Sequence, residues 1–188
     1  VSEEARRRWD RRYEPPHCIF GRAPHRLLLE HSSLLPGSGL ALDLAAGEGQ
    51  NAVYLASLGH AVRAVDISPL GLRKARRLAR EQGVVLETIV QDLELEPPPP
   101  GPYTVIVWMH YLQRDLARPV AQRLAPGGLL LMELATVHNL RLKRRPARRF
   151  LVQPGELRGW FPDLQLVLYR EGVYGQRAVA QLVARKCK

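Results

Sequence analysis

Asp43, Gly47, Gly49 and Asp66 are the residues of this sequence whose types and spacing best suit chemistry. They lie in LALDLAAGEGQNAVYLASLGHAVRAVDIS, residues 40–68. The order reads as a strand, a tight glycine turn, a helix and a second strand ending in an acid. Such a turn lets backbone approach a ligand closely, and an acid about twenty residues past its start can accept both hydroxyls of a ribose. The glycines alone leave more than one nucleotide cofactor open. Counted through Gly47, Gly49 and Ala52 they meet the relaxed dinucleotide frame, whereas counted from Ala45 the frame fails at Gln50.

Asp43 decides between these cofactors. A carboxylate inside the strand, two residues before Ala45, suits a cationic ligand. With nearby backbone amides it would hold an amino-acid head group while Asp66 takes the ribose, the polar set of S-adenosylmethionine rather than NAD. DLAAGEG resembles the D-x-G-x-G-x-G first motif of class I methyltransferases, with Ala45 standing where that family has glycine. The resemblance implies an α/β fold: a doubly wound, mostly parallel, seven-stranded Rossmann-like methyltransferase sheet with an antiparallel C-terminal hairpin. It implies S-adenosyl-L-methionine as cofactor, held by Asp43, Ala45, Gly47, Gly49, Asn51, Asp66, Ile67, Gln91, Asp92, Leu93 and Trp108. Gln91 and Asp92 fall where the family has an adenine-contacting acid, Trp108 and His110 end the fourth strand beside the transferred methyl, and APGG matches the family's P-G-G turn.

Within the superfamily the sequence is similar to tellurite-resistance (TehB-like) and thiopurine-type methyltransferases. That likeness rests on Trp9, Arg12 and Tyr13, on Phe20, Gly21 and Pro24, and on FLVQPGEL at 150–157. It implies a small-molecule acceptor, with thiol, selenium and tellurium species among the candidates. Trp9, Tyr13, Tyr111 and Arg177 are the candidate substrate residues; Trp9 and Tyr13 would act as a lid over the cofactor, against the core role that aromatic residues on an amphipathic helix more commonly take. His110 is the candidate general base, because an imidazole titrates near neutrality. A sulfonium methyl is already electrophilic, so a soft acceptor needs mainly alignment and no base.

The elements that must position these groups follow from periodicity. Residues 3–13 and 24–34 read as helices, separated by the Pro- and Gly-rich EPPHCIFGRAPH. Strands are expected at 40–44, 61–65, 84–93, 103–110 and 125–134, with helices at 50–58, 69–82 and 114–124. In the first of these three helices Val53, Leu55, Ala56 and Leu58 should cover the sheet. Ser68 and Pro69 begin the next and Gly83 ends it. Strands alternating with helices at this rhythm imply right-handed crossovers and a parallel sheet. Residues 164–173 and 176–186 then alternate apolar and polar around a turn at Tyr174 and Gly175, the signature of an antiparallel pair. One domain is expected over 1–188, with 1–38 a helical cap and 39–188 the cofactor-binding core.

Composition narrows the partners. The net charge is +10, and Lys74, Lys143, Lys186 and Lys188 are the sole lysines among 28 basic residues. Such charge attracts anions, so an RNA methyltransferase is the alternative reading, motivated by Arg6 to Arg12 and by RLKRRPARR at 141–149 within the basic loop 138–149. Against it, no N-P-P-Y-type motif is present, and no aromatic residues interleave the basic run as stacking platforms. A third reading is a non-catalytic S-adenosylmethionine-binding regulatory protein. Nucleic acid is thus a secondary expectation behind a small-molecule substrate. Cys18 and Cys187 form no C-x-x-C or His/Cys cluster, so no metal is expected. No apolar run approaches the roughly 20 residues of a membrane span, and a cytoplasmic location is expected. Oligomeric state has no signal in the sequence.

Overall fold

The computed structural model describes residues 2–142 and 147–187. Seven strands form one sheet: β1 (Leu40–Leu44), β2 (Ala61–Asp66), β3 (Glu87–Val90), β4 (Tyr103–Met109), β5 (Leu124–Ala135), β6 (Leu164–Tyr174) and β7 (Arg177–Lys186). Their order is β3-β2-β1-β4-β5-β7-β6. The pairs among β1 to β5 are parallel, and β7 lies antiparallel between β5 and β6. The expected α/β sheet with its C-terminal antiparallel hairpin is therefore present.

Alternation along the strands sorts side chains onto two faces. Leu42, Leu44, Ile106, Trp108, Leu130 and Met132 point to one core, shared with Leu116, Val120, Leu157 and Phe161. Ala41, Val105, Val107, Leu129 and Leu131 point to the other, under Leu27, Leu28, Ala52, Leu55 and Leu72. The covering helices on that second face are α2 (Arg26–Glu30), α3 (Gln50–Ser57) and α4 (Pro69–Glu81), while α5 (Ala117–Arg123) serves the first. Helix α1 (Ser2–Tyr13) lies against α4. Because both faces are covered, β4 is apolar almost end to end, as a central parallel strand must be. Strand order reverses between β1 and β4, and the carboxyl ends of those strands form the crevice where open α/β sheets bind ligands.

Several expectations are corrected. The helix expected at 24–34 is interrupted: α2 ends at Glu30 and Ser32–Leu34 is a 3-10 turn. His31 Nδ1 lies 2.9 Å from the Leu27 carbonyl, engaging an oxygen that the next helical turn would use. β3 begins only at Glu87, because Gly83 turns with φ +69° and the Val84 N–H closes back on the Ala79 carbonyl. Leu58 is 42% exposed instead of covering the sheet. The middle of the basic loop, residues 143–146, lies outside the described residues; Val137–Arg141 and Arg148–Phe150 on its flanks are 3-10 turns. Among the described residues no helix is long and apolar enough to cross a membrane.

Candidate functional site

The glycine turn carries three consecutive left-handed positions at alternate residues: Ala45 at φ 53°, Gly47 at φ 54° and Gly49 at φ 79°. Two are glycine, for which this region is free; Ala45 accepts a cost of roughly 1–2 kcal/mol that a Cβ meets there. Behind the turn, Asp43 is buried and its Oδ2 accepts the Ala52 N–H at 3.0 Å. Asp66, also buried, accepts the Gly47 N–H on Oδ2 and the Ser68 N–H on Oδ1, both at 2.8 Å. Burial pushes the Asp43 carboxyl up to about 8, with repulsion from Asp66 adding and the Ala52 amide opposing. Burial likewise pushes Asp66 up to about 6, against the amides of Ser68, Gly47 and Ile67. Among the described residues neither acid has a basic side-chain partner. Two buried carboxyl groups that repel each other are poised for a cationic, hydroxyl-bearing ligand.

A further orphan acceptor stands at the β3 end. Asp92 Oδ1 accepts the Glu94 N–H at 2.9 Å, while Oδ2 is buried without a partner. An exocyclic amine of an adenine would satisfy it, so the residues present fit S-adenosylmethionine. Ile67 is half-buried, Leu93 is part of the core, and the Gln91 side chain is committed to the Pro97 carbonyl.

The cap is tied to this turn by polar contacts that the sequence reading did not include. Tyr13 is 4% exposed, and its hydroxyl would lie 2.6 Å from a Cβ built on Gly47. Only glycine fits beneath it. Trp9 stacks on Tyr13 at 5.8 Å between ring centres, and Phe20 meets it edge-on at 6.2 Å. Tyr13, expected at the substrate, therefore sits on the glycine turn. Glu48, buried within G-E-G, accepts the Ile19 N–H at 3.1 Å, the Phe20 N–H at 3.0 Å and the Lys74 ammonium at 2.9 Å. Lys74 also donates to the His17 carbonyl at 2.7 Å. Asn51 is expected at the cofactor, yet its Oδ1 accepts the His25 N–H at 2.8 Å and so anchors the cap. At Gly49 a Cβ would come within 2.4 Å of the Ala75 Cβ, so glycine there lets α3 and α4 approach.

At the mouth of the crevice the outcome differs from the expectation for Trp108. Its side chain is fully buried against Trp160, and Nε1 donates to the Tyr111 carbonyl, so it presents no surface to a ligand. His110 follows at φ 59°, its side chain 41% exposed. Its N–H donates to the Glu133 carbonyl at 2.8 Å, and Nδ1 lies 3.6 Å from Glu133 Oε1. Desolvation pushes the imidazole down to about 4, with His25 and Arg177 acting the same way and Glu133 opposing. Tyr111 is half-buried, and burial plus the carboxylates of Glu94, Asp92 and Asp66 push its phenol up. Arg177 is exposed on β7.

Five residues at this site escaped the sequence reading: His25, Glu48, Lys74, Glu133 and Gln181. For two of them a signal exists. Glu133 and Gln181 interrupt the apolar runs LLLMEL and AVAQLVA, and they face each other across the β5–β7 register. A buried polar pair in two central strands has to be hydrogen-bonded, which makes it conspicuous.

Comparison with known proteins bears on this geometry. Residues 41–128 match the methyltransferase domain family. The chain is 30% identical over 190 residues to a ubiquinone biosynthesis O-methyltransferase of Sodalis glossinidius, covering 86% of this chain and 74% of that protein. It is 28% identical over 187 residues to the protein of the same name from Xanthomonas axonopodis pv. citri, covering 87% and 77%. Among solved structures, TehB from Haemophilus influenzae superposes with a TM-score of 0.75 at 19% identity, over 89% of this chain and 64% of that one. The N-methyltransferase NodS from Bradyrhizobium japonicum, in complex with S-adenosyl-L-homocysteine, gives 0.71 at 15% identity over 97% and 98%.

Proposed function

Because the chain belongs to the class I S-adenosylmethionine-dependent methyltransferases, we propose that it methylates a small protic acceptor, a hydroxyl or a thiol, with His110 taking the proton. The chain is an enzyme that uses S-adenosylmethionine to methylate a small molecule. The cofactor supplies an electrophilic methyl on a positively charged sulfur. Asp66 receives the ribose, Asp43 lies behind the turn as the buried negative group, and Asp92 offers its free oxygen to the adenine. Tyr13 packs over the turn, with Phe20 edge-on against it. Bound there, the cofactor would supply that methyl to the acceptor's lone pair and leave as S-adenosylhomocysteine, while His110 Nε2 would take the acceptor's proton.

The observation that carries the acceptor reading is the placement of His110: a partly exposed imidazole at the β4 end with Nδ1 3.6 Å from the buried Glu133 carboxylate, which opposes the loss of basicity that desolvation causes. A hydroxyl is favoured over a thiol, in keeping with the O-methyltransferase relatives. Selenium and tellurium species form the competing arm, since they need alignment without deprotonation. Methyl-labelled cofactor offered with phenolic, thiol, selenite and tellurite acceptors tests the choice. For a protic acceptor His110→Ala should lower turnover about 10²–10⁴-fold. A small effect of His110→Ala, with a pH profile that follows acceptor ionisation alone, would transfer the assignment to the soft acceptors.

A further inference from the structure

Resting on His110 as the base, we propose that Glu133 is a positioning residue of this site. Its carboxylate, clamped by Gln181 and His25, orients His110 so that Nε2 faces the acceptor as the lone-pair nitrogen. Glu133 on β5 and Gln181 on β7 are register partners, both buried in otherwise apolar strands. Gln181 Nε2 donates to Glu133 Oε2 at 2.5 Å. Gln181 Oε1 accepts from Arg170 Nε, so the amide cannot turn over without aiming an N–H at a guanidinium. Arg170 is held in turn by Glu30.

The other carboxylate oxygen meets two histidines. His25 Nε2 lies 3.2 Å from Glu133 Oε1. The tautomer of His25 is fixed locally, because the Leu27 N–H at the start of α2 donates to its Nδ1 at 3.2 Å. Nε2 is therefore the N–H, and His25 is a donor to Glu133 with both ring nitrogens occupied. The donor atoms of His25, His110 and Glu133 lie within 4.8 Å of one another, a spacing that also suits a metal. A cation on His25 Nε2, however, would drive the proton onto Nδ1, directly against the Leu27 N–H.

Oε1 still has room for one donor, and His110 Nδ1 stands 3.6 Å away. That is a charge contact rather than a hydrogen bond, and catalytic contacts commonly tighten when substrate arrives. The backbone holds the approach: the His110 N–H is bonded to the Glu133 carbonyl, and the left-handed turn at His110 brings its ring over Glu133 and His25. When the acceptor's proton reaches Nε2, the positive charge on His110 is opposed by Arg177 and offset by Glu133.

Glu133→Gln retains the shape and reverses the donor pattern. Gln181 draws the new amide oxygen toward itself, leaving an NH₂ against the imidazoles. His110 Nδ1 then becomes the lone-pair nitrogen, the wrong tautomer for a base, and turnover should fall roughly 10²–10⁴-fold. S-adenosylhomocysteine affinity should stay unchanged. Ring ¹⁵N spectra of the resting protein should report His110 as Nδ1–H in the native chain and Nε2–H in the variant. Gln181→Met, which frees one side of Glu133, should give a smaller fall in the same direction and guards against a folding defect in the first variant. Native turnover in Glu133→Gln, an unchanged His110 tautomer, or a stoichiometric divalent cation bound by the native protein and lost in Glu133→Gln would each overturn the proposal. Native turnover in His110→Ala would instead overturn the base reading, while the tautomer measurement tests Glu133 by itself.

Discussion

Glu48→Ala probes the joint between cap and glycine turn. Glu48 is 1% exposed and receives two backbone amides and an ammonium, so its removal strands three donors together. Breaking a buried ion pair by deleting one partner costs about 3–5 kcal/mol. Each amide left unpaired would add about 1–3 kcal/mol if it stayed dry. These contributions do not add in full, because Phe20 is 42% exposed and the segment can lift into water. Lifting limits the loss to the stability of the cap, so the expected destabilisation is about 3–5 kcal/mol. Lys74 would retain only the His17 carbonyl. Urea denaturation gives the magnitude, and amide exchange at Ile19 and Phe20 locates it. Cofactor affinity should fall in parallel, since Tyr13 and Phe20 lose their anchorage on the turn. Glu48→Gln, which keeps an acceptor for one amide, should cost less. A loss under about 1 kcal/mol with both amides still protected would refute the reasoning, because such a buried pair would then carry no cap.

Three further outcomes follow from the acids and the turn. Ala45→Gly should raise stability by up to about 1 kcal/mol in denaturant melts, the relief of a left-handed Cβ less the entropy of a new glycine; a clear loss would mean that φ 53° carries no strain. Burial pushes Asp43 up to about 8 and Asp66 up to about 6, and a cationic ligand favours their ionised forms. Cofactor affinity should therefore strengthen as pH rises from about 6 to 8, with proton release on binding seen as buffer-dependent heat, and flat affinity would contradict it. Asp43→Asn tests the same charge without ligand. A carboxyl whose folded value is raised stabilises fully below its unfolded value near 3.9 and loses that contribution as pH rises through about 8. The variant should thus gain on the native protein between pH 4 and 8 in paired thermal melts, and a constant difference would show that Asp43 ionises at no cost.

The sheet was legible because its signal is repeated. Alternating apolar runs, Ser68 and Pro69 opening α4 and Gly83 closing it each state the same layout, and they agree. Asp43 and Asp66 stood out for a different reason: an acid inside or ending an apolar strand is costly to bury, and the fold buries both against backbone amides. The cap was read as helix and loop, but its attachment was not, since Glu48 inside G-E-G and Lys74 on an Arg-rich helix look like solvated charges until the fold brings them together. Helix 24–34 failed at His31 because a side-chain contact with the Leu27 carbonyl is invisible to periodicity. Trp108 was assigned to the methyl from its place at the end of β4, yet a strand's alternation turns it into the core while His110, past the last β4 residue, reaches the crevice. His25 and Glu133 are 108 residues apart, a distance in sequence across which only topology can join them.

The proposed S-adenosylmethionine pocket comprises Asp43, Gly47, Gly49 and Asp66 at the β1–β4 switch point. Calorimetric titration of the native chain with S-adenosylmethionine, S-adenosylhomocysteine and NAD tests it most directly. Both sulfur nucleosides should bind, and Asp66→Ala should weaken each by about 1–3 kcal/mol as buried hydroxyls lose a charged partner. Tighter binding of NAD than of either ligand, or undiminished binding by Asp66→Ala, would contradict the account.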